Sequence, residues 1–184
     1  MEKTIGKNKF KVRDMALIAL MTAAVSVLSI IAIPMPSGVP ITLQTFAVPF
    51  VGYFLGAKKG TASIFLYLLI GAVGLPVFSG MKGGVSILLG PTGGFLWGFL
   101  IFVLLCGWKK ESKNKSLPLL LGFAGLLICH ALGALQYALL MTRPYIEAFL
   151  LVSLPYLVKD GICLVLAFLA AWQTSRILHK NKEA

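Results

Sequence analysis

The chain has 184 residues, of which 58% are hydrophobic and 12% are charged, and its formal net charge is +11. With a mean hydropathy of +0.91, this composition excludes an ordinary soluble protein and predicts an integral membrane protein. The basic excess is not accompanied by the aromatic pattern or fold motif of a nucleic-acid-binding surface, so a nucleic-acid partner is not expected.

Uncharged windows long enough to cross a bilayer recur along the chain. A membrane-spanning helix needs about 20 apolar residues. The first window runs from Met15 to Ile33 and ends at the proline-rich segment Pro34 to Pro40. The second window covers Ile41 to Gly56, and a short charged turn at Lys58 and Lys59 separates it from the third, Gly60 to Phe78. These windows predict three membrane helices in the first half of the chain.

The second half contains a glycine-rich segment and three further windows. Residues 79–94 are predicted to form an outer loop, followed by the fourth window, Gly93 to Trp108. The fifth window is Leu117 to Met141, and the sixth starts at Asp160 and runs to about residue 174. Between them, Tyr145 to Leu157 is hydrophobic but interrupted and is interpreted as an interfacial helix.

The distribution of basic residues supports a count of six spans. With six spans, both ends lie on one side of the membrane, and 14 of the 17 basic residues fall on that side. Lys82, Arg143 and Lys159 fall on the other side. Because cytoplasmic segments carry the Lys/Arg excess, both termini are predicted to be cytoplasmic. We expect an all-α, multi-pass protein of the cytoplasmic membrane, with residues 1–184 forming a single domain without a cleaved signal peptide.

Enzymatic and metal-binding functions find little support in the sequence. The chain has three isolated cysteines and two histidines, without paired metal-ligand spacing. No nucleophile with an adjacent base can be named, and His130 is interpreted as an internal hydrogen-bonding residue. The segment "GPTGG" lacks the lysine and following hydroxyl of a phosphate-binding P-loop. We predict no catalytic residue, metal or cofactor, and no ATP site in this chain.

The polar residues within the apolar windows are candidate ligand contacts, because ionisable groups at membrane depth usually face a cavity or a partner. Lys159 and Asp160 begin the sixth window, where they are either an interfacial charge pair or part of a binding site. Gln44 and Gln136 both fall near the predicted outer face. Each is either a ligand contact or an amide bonded to a neighbouring helix.

The segment from Gly80 to Gly94 contains six glycines in fifteen residues. Irregular backbone near membrane depth is tolerated where it is buried in protein or lines a cavity. This loop can therefore bring backbone groups close to a ligand and act as a lid, carrying Lys82 and the Thr92 hydroxyl. The alternative is a set of ordinary turns.

The first window carries alanines four residues apart at Ala19 and Ala23. This spacing of small residues allows another helix to approach closely. The spacing alone equally describes internal helix packing.

Four sequence blocks together resemble the BioY family, the biotin-binding S components of energy-coupling-factor transporters. They are "PITLQTFAV" (40–48), "GAVGLPVFSG" (71–80), "GGVSILLGPTGGF" (83–95) and "PYLVKD" (155–160). The resemblance covers nearly the whole chain, and the central glycine-rich block is its most specific element. It implies a six-helix S-component fold that captures biotin from outside, with a transmembrane coupling subunit and two cytoplasmic ATPase subunits as partners.

The resemblance also implies where biotin binds and where the coupling subunit docks. Asp160 matches an acidic position of the family, whereas Cys163 stands where many relatives have a lysine. Ala19 and Ala23 resemble the alanine motif by which S components dock on the coupling subunit. The predicted biotin contacts are Gln44, Lys82, Gly83, Gly84, Gly90, Thr92, Gly93, Gly94, Phe95, Gln136, Tyr137, Arg143, Lys159 and Asp160.

Three other functions remain open at this point. An S component for a different small vitamin has the same architecture and differs in its ligand. A small intramembrane enzyme would use His130 or Asp160, but it lacks a convergent nucleophile and base. A purely structural helix-packing subunit would leave the clustered glycines without a ligand to explain them.

Overall fold

The computed structural model describes residues 11–110, 112, 114 and 116–183, with side chains described up to residue 178. Within these residues the chain forms eight α-helices and one two-stranded antiparallel ladder. In chain order the elements are α1 (Val12–Ile30), β1 (Ala32–Ile33), β2 (Ile41–Thr42), α2 (Gln44–Leu55), α3 (Ala57–Val73), α4 (Val85–Leu89), α5 (Gly93–Gly107), α6 (Ser116–Met141), α7 (Tyr145–Val152) and α8 (Leu154–Glu183).

Three of these helices are long and apolar enough to cross a bilayer, judged by length and composition. They are α1, α6 and the Leu154–Leu178 part of α8. Helices α2 and α5 are apolar but shorter, with 12 and 15 residues. The structure thus confirms the predominantly helical class, and it adds a short ladder that the all-α prediction did not contain.

Glycine and proline determine several helix boundaries. Gly56 separates α2 from α3 with a φ of 82°, and Gly74 ends α3 with a φ of 112°. Both values lie in the region that L side chains adopt rarely, so glycine suits these breaks. Helix α3 therefore ends at Val73, whereas the predicted third window continued to Phe78.

Helix α8 begins at Leu154, six residues before the predicted start of the sixth window. The break at Ser153 separates α7 from α8, and Pro155 falls in the first turn of α8. Proline is tolerated there because the N–H groups of the first turn have no partner within the helix. The early start gives Lys159 and Asp160 helical geometry, with the first turn of α8 ahead of them.

Helix α5 lies at the centre of the bundle and packs against α2, α3 and α6. Phe102 and Val103 on α5 are fully buried, together with Ile64 and Tyr67 on α3. At Gly98 a Cβ would lie 2.8 Å from Cys129 Cα, so α5 and α6 pack with almost no side chain between them. This close pair holds one wall of the site in place.

Candidate functional site

A cavity of about 620 Å³ lies at the end of the bundle where α1 finishes and α2 and α5 begin. Its wall includes residues from the β1–β2 ladder, the glycine-rich segment, and helices α2, α5, α6 and α8. The volume falls within the range of about 300–1,000 Å³ that is typical of small-molecule pockets. Apolar side chains supply most of the wall, and a few polar groups converge on it.

The Asp160 carboxylate has three polar partners, all of which line the cavity. Its Oδ1 accepts a hydrogen bond from Thr45 Oγ1 at 2.6 Å and pairs with the Lys159 ammonium. Its Oδ2 lies 3.2 Å from His130 Nε2. Asp160 is 3% exposed, so these three partners replace the water that a buried carboxylate has lost.

The Lys159 ammonium is held by three acceptors. Besides Asp160, it donates to Thr45 Oγ1 at 3.0 Å and to the Thr42 carbonyl oxygen at 3.3 Å. An ammonium has three N–H donors, so all of them have partners within the protein. Lys159 therefore neutralises Asp160 and ties the start of α2 to α8.

The Gln44 side chain belongs to a buried hydrogen-bond chain at the beginning of α2. Its Oε1 accepts from Thr42 Oγ1 at 2.9 Å, and its Nε2 donates to Tyr67 OH at 2.8 Å. One amide hydrogen and one oxygen lone pair remain available for other partners. Gln44 lines the cavity next to Thr45.

The glycine-rich segment folds back on α6 instead of forming an open loop. Gln136 Nε2 donates to the carbonyl oxygens of Leu88 at 3.0 Å and Gly90 at 2.7 Å, and Trp97 Nε1 donates to Leu88 O at 3.2 Å. At Gly93 a Cβ would overlap the Leu88 carbonyl oxygen. The glycines thus permit a close approach of the segment to α5 and α6.

Lys82 lies on the outer part of the same segment. Its backbone pairs with Phe78 through hydrogen bonds of 2.9 and 3.3 Å. Its side chain is exposed and lines the cavity. Among the residues that the structure describes, its ammonium has neither a hydrogen-bond nor an ion-pair partner, unlike that of Lys159.

The proline-rich segment between β1 and β2 covers part of the cavity and is tied to two helices. Tyr156 OH, on α8, donates to the Val39 carbonyl oxygen at 2.7 Å and lies 2.8 Å from Ser37 Oγ. Tyr137 OH, on α6, donates to the Ser37 carbonyl oxygen at 3.2 Å. These bonds fix the segment over the site.

The structure brings half of the predicted contacts into the cavity wall. Gln136 lies behind the wall and holds the glycine-rich segment, and Tyr137 holds the proline-rich segment in the same way. Arg143 follows the end of α6. Ligand contact stays a prediction for the whole set. The residues in the wall are Gln44, Lys82, Gly90, Thr92, Phe95, Lys159 and Asp160, and those outside it are Gly83, Gly84, Gly93, Gly94, Gln136, Tyr137 and Arg143.

Several polar residues of the wall are absent from the sequence prediction. His130 is buried and pairs with Asp160, as expected of an internal hydrogen-bonding residue, and it also lines the cavity. Thr42, Thr45 and Tyr156 also line it. The threonines flank Gln44 in the block "PITLQTFAV", and Tyr156 lies in "PYLVKD". The two blocks that predict Gln44 and Asp160 as ligand contacts therefore also contain these three polar residues.

Comparisons with known proteins agree with this architecture. Residues 2–180 match the model of the BioY family. The "Biotin transporter BioY" of Thermotoga maritima is 43% identical over 122 residues, which cover 66% of this chain and 72% of that protein. "Biotin transporter BioY2" of Lactococcus lactis subsp. cremoris is 37% identical over 175 residues, covering 94% and 96%. The crystal structure of the S-component for biotin from an ECF-type ABC transporter matches with a TM-score of 0.80 and 30% identity, covering 92% of this chain and 94% of that one.

Proposed function

The chain belongs to the BioY family, and we propose that it captures biotin as the substrate-binding subunit of an energy-coupling-factor transporter. The observation that carries this function is the likeness to the biotin S-component over nearly the full length of both chains. The cavity of about 620 Å³ supplies a site of suitable size. The chain itself performs no covalent chemistry, since ATP hydrolysis belongs to partner subunits.

We propose that α1, α2, α3, α5, α6 and α8 are the six spans of one membrane domain and that both termini are cytoplasmic. The segregation of basic residues supports this orientation, which makes the cavity face outside. Helix α2 has 12 residues and is only about 18 Å long. Its shortness is compatible with a membrane position because the irregular backbone before it lines the cavity and is covered by protein.

For the ligand, we propose that the polar wall formed by Asp160, Thr45 and Gln44 receives the ureido group. The ureido group donates and accepts hydrogen bonds, and this wall offers carboxylate, hydroxyl and amide partners. The fused rings would lie against Phe95 and the other apolar side chains of α5. A ligand that left these buried polar groups unpaired would bind more weakly, which gives selectivity.

The carboxylate of the valerate chain requires a cation, and Lys82 fits that role better than Lys159. The three donors of Lys159 have protein partners, whereas the Lys82 ammonium has none among the described residues. Arg143 is not part of the cavity wall. We therefore assign the carboxylate to Lys82, whose place on the glycine-rich segment couples ligand binding to closure of that segment.

The proposed assembly includes a transmembrane coupling subunit and two cytoplasmic ATPase subunits. Ala19 and Ala23 are exposed on α1 and offer a flat strip to a partner helix. Changes driven by ATP in the partner complex would then open the site toward the cytoplasm.

Equilibrium binding of biotin to the purified protein in detergent tests this function, with thiamine and riboflavin as competitors. Tight binding that is selective for biotin and independent of ATP is expected. Folded protein that prefers another vitamin would keep the capture role but change the ligand. Folded protein without affinity for any of the three would contradict the proposed function.

A further inference from the structure

Tyr67 lies on α3 outside the cavity wall, and its hydroxyl contacts a residue of that wall. Gln44 Nε2 donates to Tyr67 OH at 2.8 Å. The Tyr67 hydroxyl is also hydrogen-bonded to the Ser29 side chain, and Ser29 Oγ donates to the Val25 carbonyl oxygen at 2.6 Å. These contacts form one hydrogen-bond chain that runs from the cavity wall through α3 to α1.

The donors in this chain all point in one direction. Because Ser29 Oγ donates its hydrogen to Val25, it accepts from the Tyr67 hydroxyl, and the Tyr67 oxygen in turn accepts from the Gln44 amide. On the other side of that amide, Thr42 Oγ1 donates to Gln44 Oε1 at 2.9 Å. A flipped amide would present its oxygen to Tyr67 and would require the Tyr67 hydroxyl to turn away from Ser29. The chain therefore favours one orientation of Gln44.

The side chains of this chain are buried. Ser29 and Tyr67 are 0% exposed, and Gln44 is 6% exposed. Water does not reach such groups freely, so a donor or acceptor that loses its partner there stays unsatisfied at a cost in free energy. Burial thus makes the orientation of the Gln44 amide depend on the Tyr67 hydroxyl.

The Tyr67 ring has a separate contact with the cavity wall. It packs edge-on against the Phe78 ring, with the centroids 5.4 Å apart, and Phe78 lines the cavity. At Gly71, one turn further along α3, a Cβ would overlap the Phe78 ring. The ring of Tyr67 therefore supports Phe78, while its hydroxyl holds Gln44.

We propose that Tyr67 is a positioning residue for the ligand site. Its hydroxyl, held by Ser29, keeps the Gln44 amide in the orientation that leaves one amide hydrogen and one oxygen lone pair for a ligand in the cavity. This inference rests on the proposed capture of biotin, whose ureido group would be the partner of that amide. Tyr67 then contributes to selectivity without touching the ligand, because a flipped amide would exchange the donor and the acceptor that face the ureido group.

Equilibrium binding of biotin to the purified full chain in detergent tests this role. Tyr67→Phe removes the hydroxyl and keeps the ring against Phe78, and it should weaken biotin binding about fivefold, as expected for one neutral hydrogen bond. The matched control is Tyr53→Phe. Tyr53 is also a buried tyrosine, and its hydroxyl donates to the Pro118 carbonyl oxygen at 3.3 Å, away from the cavity wall. Its loss should leave biotin affinity equal to that of the parent.

A double-mutant cycle separates positioning from general stabilisation. Gln44→Met removes the amide that Tyr67 is proposed to position. In that background Tyr67→Phe should cause no further loss of biotin affinity, because effects that operate through one contact do not add. A fivefold loss in both backgrounds would overturn the proposal, since Tyr67 would then act independently of Gln44.

Two further outcomes would also overturn it. One is an equal loss of affinity for Tyr67→Phe and Tyr53→Phe, and the other is a folded Tyr67→Phe variant with the parent's affinity. If Tyr67→Phe does not fold, Ser29→Ala removes the acceptor of the Tyr67 hydroxyl instead and should weaken binding with the same dependence on Gln44. A parent that does not bind biotin would overturn the proposed function together with this inference, whereas a parent that binds biotin with an additive cycle would overturn this inference alone.

Discussion

His130 Nε2 lies 3.2 Å from Asp160 Oδ2, and both side chains are 4% exposed. The pair joins the middle of α6 to the start of α8 inside the cavity wall. A ring nitrogen that faces a carboxylate carries a hydrogen, so Nε2 donates to Asp160 Oδ2. The buried Nδ1 has no hydrogen-bond partner among the described residues. His130 therefore holds the Asp160 carboxylate through Nε2, while its ring also forms part of the cavity wall.

Two substitutions of His130 distinguish the role of its hydrogen-bond donor from the role of its ring. His130→Phe removes the donor and leaves Asp160 Oδ2 unpaired, which should lower the free energy of unfolding by about 1–3 kcal/mol and weaken biotin binding. In His130→Gln the terminal amide can donate to Asp160 in place of Nε2, so binding should stay close to that of the parent. Thermal unfolding and isothermal titration calorimetry measure both effects. Equal weakening by both variants would show that the ring itself matters.

Asp160→Asn tests the central carboxylate. The amide carries no charge to pair with Lys159, and only one of its two polar atoms accepts hydrogen bonds. Losing a charged hydrogen bond of about 1.5–3 kcal/mol predicts biotin binding weaker by about ten- to a hundredfold. Asp14→Asn is the matched control, because Asp14 also pairs with a lysine but lies at the other end of the bundle. A folded Asp160→Asn variant with the parent's affinity would contradict the assigned role.

The helical class was predictable because long uncharged windows have few alternatives in a bilayer. The first and last residues of the helices and strands were less predictable. The β1–β2 ladder has two residues per strand, too few for a periodic signal. The start of α8 at Leu154 depends on Pro155 being accepted in a first helical turn. Sequence alone allows either reading of such a proline.

Within the candidate site, the types of polar residue were predictable from the sequence, but the directions in which their side chains point were not. Gln136 was selected as a polar residue in an apolar window, but its amide holds the Leu88 and Gly90 carbonyl oxygens behind the wall. His130 lies deeper in α6 than Gln136, and the cavity reaches that depth. Which way a buried polar group faces depends on the packing of neighbouring helices, and a single sequence does not contain that information.

The glycines at the α5–α6 contact have a steric role that substitution can test. A Cβ at Gly94 would overlap the Leu132 carbonyl oxygen and lie 2.9 Å from Gln136 Cβ. Gly94→Ala should destabilise the protein by about 1–3 kcal/mol, because well-packed contacts do not accept added volume. Gly161→Ala is the control, since its Cβ would meet Phe123 at an ordinary 3.7 Å. Thermal unfolding in one detergent compares the two variants. A loss of stability in Gly161→Ala of the same size would refute the steric explanation.

The exposed alanines of α1 predict an assembly defect without a binding defect. Ala23→Leu places a bulky side chain on the proposed docking strip and should weaken co-purification with the coupling subunit about tenfold, while biotin binding is unchanged. Ala24→Leu is the control, because Ala24 is also exposed but points about 100° away around the helix. Equal recovery of the complex with both variants would place the docking surface elsewhere.

Lys82 can be tested with changes on both sides of the proposed ion pair. Lys82→Gln should weaken biotin binding about fivefold, the size expected of an exposed pair worth about 1 kcal/mol. The same substitution should have little effect on biotinamide, which lacks the carboxylate. Lys58→Gln serves as the control, since Lys58 is an exposed lysine that is not part of the cavity wall. Equal losses for biotin and biotinamide would mean that Lys82 acts through the fold of the glycine-rich segment. In that case the carboxylate would need another partner, and Lys159 would be the next lysine of the wall to test.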